Sequence, residues 1–411
     1  MLKINMDLKI EDILNLLKEI NSTIDFDKLF HKIIDSIRDF LNVERCSLFL
    51  VDFDKKILWS KIAHDLEIDQ IVIPINEGLI GHSVLNNEII IVDNAYEDSR
   101  FCSDFDKKTG FVTKTVLCYP LKNLEGKIIG VLQLINKKNR KFNNNDVELL
   151  NLLSQHLVIA LNNSFYFNQA LEKRELETEL SIAKNIQEKF IPHILPNIES
   201  LKLSCKNIQC TYIGGDYYDI IKLDDKQYLI IIADVSGHGI PSALLMTNIQ
   251  AAFHLQDYSK LQLNEIFKLI NDFVSETAEM EKYITAFAGI YNDITKEFSY
   301  VNAGHLPPFI LRDNKFVELE ATGIPLGMFN GTDYVLEKVK FKKDDIIVLY
   351  TDGIVEANNG TEMFTIERLQ DYIKANKDKS IEEIIDILIK SVSEFSYKQE
   401  DDITVVLGKV L

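Results

Sequence analysis

Acidic residues at the ends of apolar runs are where this chain of 411 residues could do chemistry. Residues 229–233 are apolar and run straight into Asp234. Residues 346–350 lead through Thr351 into Asp352-Gly353. Asp216 follows Gly214-Gly215, and Asp401-Asp402 precede the last apolar run. An ionised carboxylate at the lip of a core is costly unless it is paired or bound to a cation. No arginine or lysine adjoins these points in sequence. Hard oxygen ligands converging from different strands suit Mg²⁺ or Mn²⁺, which accept carboxylates and keep several waters. Two such ions could generate a hydroxide and hold a phosphate for in-line attack. Taken singly, each aspartate could equally form a turn or cap a helix. No Gly-x-Ser-x-Gly elbow exists for a serine hydrolase built on Ser236 or Ser242.

The elements that must carry these residues follow from periodicity. Residues 7–20 have apolar positions at helical spacing, and Asp25 or Asp27 can cap a second helix reaching Leu41. Short β-type runs follow at 46–51, 57–63, 70–75 and 88–92, with a helix start between Gly78 and Gly81. A polar loop spans 93–114, and 116–121 and 128–135 pair as a hairpin. This is an α+β domain with helices on one side of an antiparallel sheet. Residues 145–191 contain neither proline nor glycine. Their apolar steps of three and four predict a long helix with two seams and a phase break near Lys173-Arg174. Such a helix can pack on its own domains or form a dimeric coiled coil. Beyond Pro196, strands, a helix pair, strands, a second helix pair and a final strand at 403–410 predict a β-sandwich flanked by helices.

The motifs Gly214-Gly-Asp-Tyr-Tyr-Asp219, Ala233-Asp-Val-Ser-Gly-His-Gly239, Asn302-Ala-Gly-His-Leu-Pro-Pro308, Gly323-Ile-Pro-Leu-Gly327, Leu349-Tyr-Thr-Asp-Gly353 and Gln399-Glu-Asp-Asp-Ile-Thr404 occur in that order. Together they resemble the SpoIIE-type branch of the PPM metal-dependent serine/threonine phosphatases. The resemblance implies an αββα sandwich over 196–411 with a dinuclear Mn²⁺ or Mg²⁺ centre. It implies that Asp234 bridges the two metals, that the Val235 carbonyl binds one, and that Asp352 and Asp401 complete a shell with Asp216 close by. The wider group ends in Asp-Asn where this chain has Asp401-Asp402, so Asp401 is the expected ligand and Asp402 its neighbour. His238 could protonate the leaving serine oxygen or order its turn, and His305 reads as a buried structural histidine. The substrate implied is a phosphoserine or phosphothreonine protein, often a STAS-type anti-sigma-factor antagonist in bacterial partner switching.

The segment 21–165 resembles a GAF domain through Gly78-Leu-Ile-Gly81, residues 93–101, Leu117-Cys-Tyr-Pro-Leu121 and residues 130–137. Asn136-Lys137, Phe142 and Asp146 are similar to the pattern of GAF domains that bind cyclic nucleotides, although Val147 stands where glutamate is usual. The expected ligand is therefore a cyclic nucleotide or another small molecule, with dimerisation alone as the alternative role. The expected organisation is an N-terminal helix over 1–20, the sensor over 21–165, a linker helix over 166–195 and the phosphatase. A homodimer would form through the GAF domain and the 145–191 helix. A ligand-sensing scaffold with little phosphatase activity is the alternative, set aside because none of the matched carboxylates is missing.

The bulk composition limits partners. A net charge of −18 argues against nucleic acid or an anionic membrane, which need a basic surface. Five scattered cysteines make no disulfide framework, and no apolar run approaches a membrane span. A cytoplasmic protein is the expectation.

Overall fold

The computed structural model describes Lys18 and residues 25–60, 71–277 and 282–411. The expected helix over 7–20 lies outside them except for Lys18. The chain divides into two compact units, 1–176 and 177–411.

In the first unit Asp25 accepts the Lys28 N–H (2.9 Å) and caps α1 (Phe26–Phe40), whose buried face is Leu29, Phe30, Ile33, Ile34 and Ile37. Then come β1 (Val43–Asp52), β2 (Ile57–Ser60), β3 (Ile71–Pro74), α2 (Gly78–Asn86), β4 (Ile90–Val92), α3 (Asp104–Thr109), β5 (Val116–Lys122) and β6 (Ile128–Lys137). The six strands form one sheet in the order β3-β2-β1-β6-β5-β4, and every pairing is antiparallel. Alternation along β5 sorts its side chains: Leu117, Tyr119 and Leu121 join the core under α1, while Val116 and Cys118 join Leu79, Ile80 and Val84 of α2 on the other face. The sheet is thus covered on both faces, not one, and the expected loop at 93–114 contains α3.

Helix α4 (Asn144–Gln187) is continuous over 44 residues, through the expected phase break at Lys173-Arg174. A 3₁₀ turn, Glu188–Phe190, ends it before Pro192, because the residue before a proline is driven out of helical geometry. Leu150, Leu153 and Leu157 are buried, whereas Phe165, Tyr166, Phe167, Leu171, Leu176, Ile182 and Ile186 are exposed. Among the described residues no helix is long and apolar enough to cross a membrane.

The second unit comprises β7 (Leu201–Ile208), β8 (Tyr217–Lys222), β9 (Gln227–Val235), α5 (Ile240–His254), α6 (Leu263–Thr277), β10 (Ile284–Asn292), β11 (Glu297–Ala303), β12 (Phe309–Arg312), β13 (Lys315–Glu318), β14 (Glu337–Lys340), β15 (Ile346–Tyr350), α7 (Asp352–Val355), α8 (Ile366–Asn376), α9 (Ile381–Phe395) and β16 (Ile403–Val410). Two five-stranded antiparallel sheets result, ordered β14-β11-β10-β9-β8 and β13-β12-β15-β16-β7. Strand β15 shows why its sequence is uniformly apolar: Ile347 and Leu349 enter the core between the sheets, and Ile346, Val348 and Tyr350 pack under α8 and α9. Strands β13 and β14 escape sequence reading because they are short, charged edge strands (Lys-Phe-Val-Glu and Glu-Lys-Val-Lys), the composition that protects a sheet edge.

Candidate active site

Antiparallel pairing brings the four acidic points to one end of the sandwich. Asp216 immediately precedes β8, and Asp234 lies near the end of its partner β9, where Tyr217 faces Ala233. In the other sheet Asp352 follows β15 and Asp401-Asp402 precede β16, where Tyr350 faces Val405. At Gly353 a Cβ would overlap the Asp402 carbonyl oxygen, so these two segments meet only through a residue without a side chain.

The carboxylates act on one another. Burial, then the charges of Asp352, Asp401, Asp402 and Glu356, push Asp234 up to about 7. Burial, then Asp401 and Glu356, push Asp352 up to about 6. Asp216 is held well above its ordinary range by burial and by Asp234. Among the described residues none of Asp216, Asp234, Asp352, Asp401 and Asp402 has a Lys, Arg or His ion-pair partner. Like charges gathered without a counter-charge make a site that favours a cation. Among the described residues no three such side chains enclose a single point. The open, all-oxygen set fits hydrated Mg²⁺ or Mn²⁺ better than a closed N/S cage.

Each acidic residue has a distinct setting. Asp216 is buried, and its Oδ2 accepts from Thr351 Oγ1 (2.8 Å) and Thr404 Oγ1 (2.5 Å), a link from one sheet to the other. Asp402 accepts from Cys210 N (2.7 Å) and Gly215 N (2.8 Å), so it braces the loop that carries Asp216. Asp401 is exposed. The Val235 carbonyl oxygen lies beside Gly215. His238 is exposed on the turn after β9. Sequence reasoning missed Thr351, Thr404 and Glu356, although all three sit inside or beside motifs it used. It also missed Lys282, which donates to the Ser236 carbonyl (2.7 Å), and Gln187. The Gln187 amide is buried and clamps the glycine loop: Nε2 donates to Gly214 O (2.8 Å), and Oε1 accepts from Gly214 N and Gln209 Nε2 (3.1 Å each).

In the first unit a cavity of about 330 Å³ is lined by Arg45, Phe49, Ile71, Phe111, Thr113 and Gln133, among others. The Arg45 guanidinium lies 3.8 Å above the Phe111 ring. None of Asn136, Lys137, Phe142 and Asp146 lines this cavity. Asn136 spends its amide on Lys114 N, Glu44 and Val112 O. Lys137 donates to Leu41 O and pairs with Asp146 (2.9 Å). Arg140 grips the same carboxylate with two bonds of 2.6 Å, and Phe142 is in the core. The polar atoms of Asn136, Lys137 and Asp146 are thus engaged within the domain, Asn136 with residues 112–115 and β1, Lys137 and Asp146 between the end of α1 and the start of α4.

Comparison with known proteins agrees with this architecture. The family model described as Stage II sporulation protein E (SpoIIE) matches residues 224–411, and the GAF domain model matches residues 25–161. The chain is 32% identical over 240 residues to phosphoserine phosphatase RsbU of Bacillus subtilis, covering 57% of this chain and 71% of RsbU. It is 31% identical over 193 residues to the dual 3',5'-cyclic-AMP and -GMP phosphodiesterase 11A of Takifugu rubripes, spanning 44% of this chain but only 21% of that protein. The SiaA-PP2C domain of Pseudomonas aeruginosa superposes with a TM-score of 0.51 at 20% identity, covering 59% of this chain and 99% of that domain. That likeness is one of fold.

Proposed function

This chain belongs to the SpoIIE family of metal-dependent serine/threonine phosphatases, with an N-terminal GAF domain, and from that membership we propose that it hydrolyses phosphoserine or phosphothreonine on a STAS-type protein in a partner-switching pathway. The observation that carries the reading is that carboxylates from both sheets raise one another's pKa, Asp234 above all, with no cationic partner among the described residues. We assign Asp234, the Val235 carbonyl, Asp352 and Asp401 as the groups that hold two divalent ions, with Asp216 beside them and Asp402 as the brace of its loop. Bound there, Mn²⁺ or Mg²⁺ would supply an activated hydroxide and neutralise the phosphoryl oxygens. His238, exposed on the turn after β9, would donate the proton to the departing serine oxygen. Manganese-dependent release of phosphate from a phosphorylated STAS protein, abolished in Asp234→Asn, tests the reading. Activity that survives EDTA would overturn it.

The sensor spans 21–165, the linker helix 166–195 and the phosphatase 196–411 in this reading. The GAF cavity takes the regulatory ligand, and the phosphodiesterase relative makes cyclic nucleotides the first to titrate. No heat and no thermal shift with cAMP or cGMP would remove them. The apolar residues exposed along α4 support a parallel dimer through that helix. Gln187, at its end, couples helix register to the Gly214-Gly215-Asp216 loop.

A further inference from the structure

The Asn302-Ala-Gly-His305 turn takes no part in the chemistry above, yet its geometry is tightly specified. The Asn302 side chain accepts the His305 N–H (2.8 Å) and donates to Leu319 O (3.2 Å). Gly304 has φ +66° with the Pro325 ring against it, so a side chain there would be both strained and overlapped. The turn delivers the His305 imidazole, 3% exposed, into the interior.

Nε2 lies 3.1 Å from the Tyr350 carbonyl oxygen, and Nδ1 lies 2.9 Å from Thr285 Oγ1. A carbonyl can only accept, so Nε2 carries the ring proton and Nδ1 accepts from the threonine hydroxyl. Burial pushes the imidazole down to about 4, which agrees with a neutral ring. Thr285 stands opposite Asp234 in the β9–β10 pairing. Tyr350 ends β15, two residues before Asp352. The ring therefore spans from the neighbour of one carboxylate to the strand that delivers the other, across the two sheets. It works beside the Asp216–Thr351 link, at the end where the carboxylates repel.

We propose that His305 is a positioning residue that sets the spacing of Asp234 and Asp352, and through it the affinity of the centre for divalent cations. The proposal rests on the metal-phosphatase reading. Its physical content is preorganisation: a strut that holds two repelling carboxylates in place spares the incoming ion that work.

Titrating the full chain with Mn²⁺ by calorimetry tests it without relying on turnover. Thr285→Val is expected to weaken Mn²⁺ binding about tenfold, the loss of one well-made buried hydrogen bond, and His305→Phe, which removes both bonds of the ring, by at least as much. Thr285→Ser, which keeps the hydroxyl, restores it. At saturating Mn²⁺, phosphate release by Thr285→Val returns to within about threefold of the unsubstituted protein, since no reacting group is lost. If His305→Phe does not fold, Thr285→Val alone decides. Equal Mn²⁺ affinity in Thr285→Val and the unsubstituted chain would overturn the strut while leaving the metal reading intact, even if the melting temperature falls. Absence of Mn²⁺ binding by the unsubstituted chain would overturn both.

Discussion

Replacing Asp234 by asparagine should abolish activity and, in the absence of metal, make the phosphatase unit more stable. Burial and the neighbouring carboxylates push Asp234 up to about 7 in the folded state from the ordinary 3.8. Between those values the folded protein holds a proton that the unfolded chain has released. Stability therefore falls as pH rises from about 4 to 7 and stays low above that range. The rise from 3.8 to about 7 sets a ceiling of about 4 kcal/mol, which solvent around the partly exposed carboxylate reduces to about 2 kcal/mol. Asparagine keeps the shape and removes the charge. In EDTA at pH 8, Asp234→Asn should gain that amount, and the gain should vanish near pH 4, where the aspartate is already neutral. Adding Mn²⁺ at a hundred times its Kd should raise the unsubstituted protein by about 2.7 kcal/mol and leave the variant unmoved. Calorimetric unfolding across pH, with and without metal, measures all three. A variant that is less stable than its parent in EDTA at pH 8, or whose gain is the same at pH 4 and pH 8, would refute the idea that uncompensated like charge defines this site.

Asp402→Ala leaves the Cys210 and Gly215 N–H groups without their acceptor and should cost about 2 kcal/mol of unfolding free energy, whereas exposed Asp401→Asn should lose activity with melting unchanged. Asp146→Ala strands the buried Lys137 ammonium and should destabilise the GAF unit by about 3 kcal/mol in denaturant titration. Burial acts to raise the Asp146 pKa, but Arg140, Lys137 and the Asn143 N–H outweigh it and hold it below its ordinary value. Its stabilisation is thus present above about pH 4 and lost as pH falls through the depressed value. One residue inserted after Lys173 rotates the rest of α4 by about 100°. Phosphatase activity should then persist but no longer respond to the GAF ligand, and an unchanged ligand response in that assay would remove the helix-register mechanism.

Strongly patterned elements were legible from sequence alone. The α1 face, the β5–β6 hairpin and the buried strands around 230 and 348 follow from apolar periodicity, which is a local property. The aspartates were legible as strand-end anomalies, and the ordered motifs pointed to the family. Charged edge strands β13 and β14 were not, because their polarity serves solubility and leaves no core pattern. Asn136, Lys137, Phe142 and Asp146 were expected at a ligand because they resemble the pattern of GAF domains that bind cyclic nucleotides. Only the fold shows that each is already engaged by another part of the chain.

Residue type, spacing and order thus pointed to the family, and singled out the carboxylates expected to seek metal. Tertiary structure decided which carboxylate faces outward and which braces a loop, that Thr351 and Thr404 donate to Asp216, and that Gln187 clamps the Gly214 loop. Hydrogen bonds between residues more than a hundred positions apart, such as Thr404 to Asp216, depend on how two sheets stack. No local pattern encodes that distance.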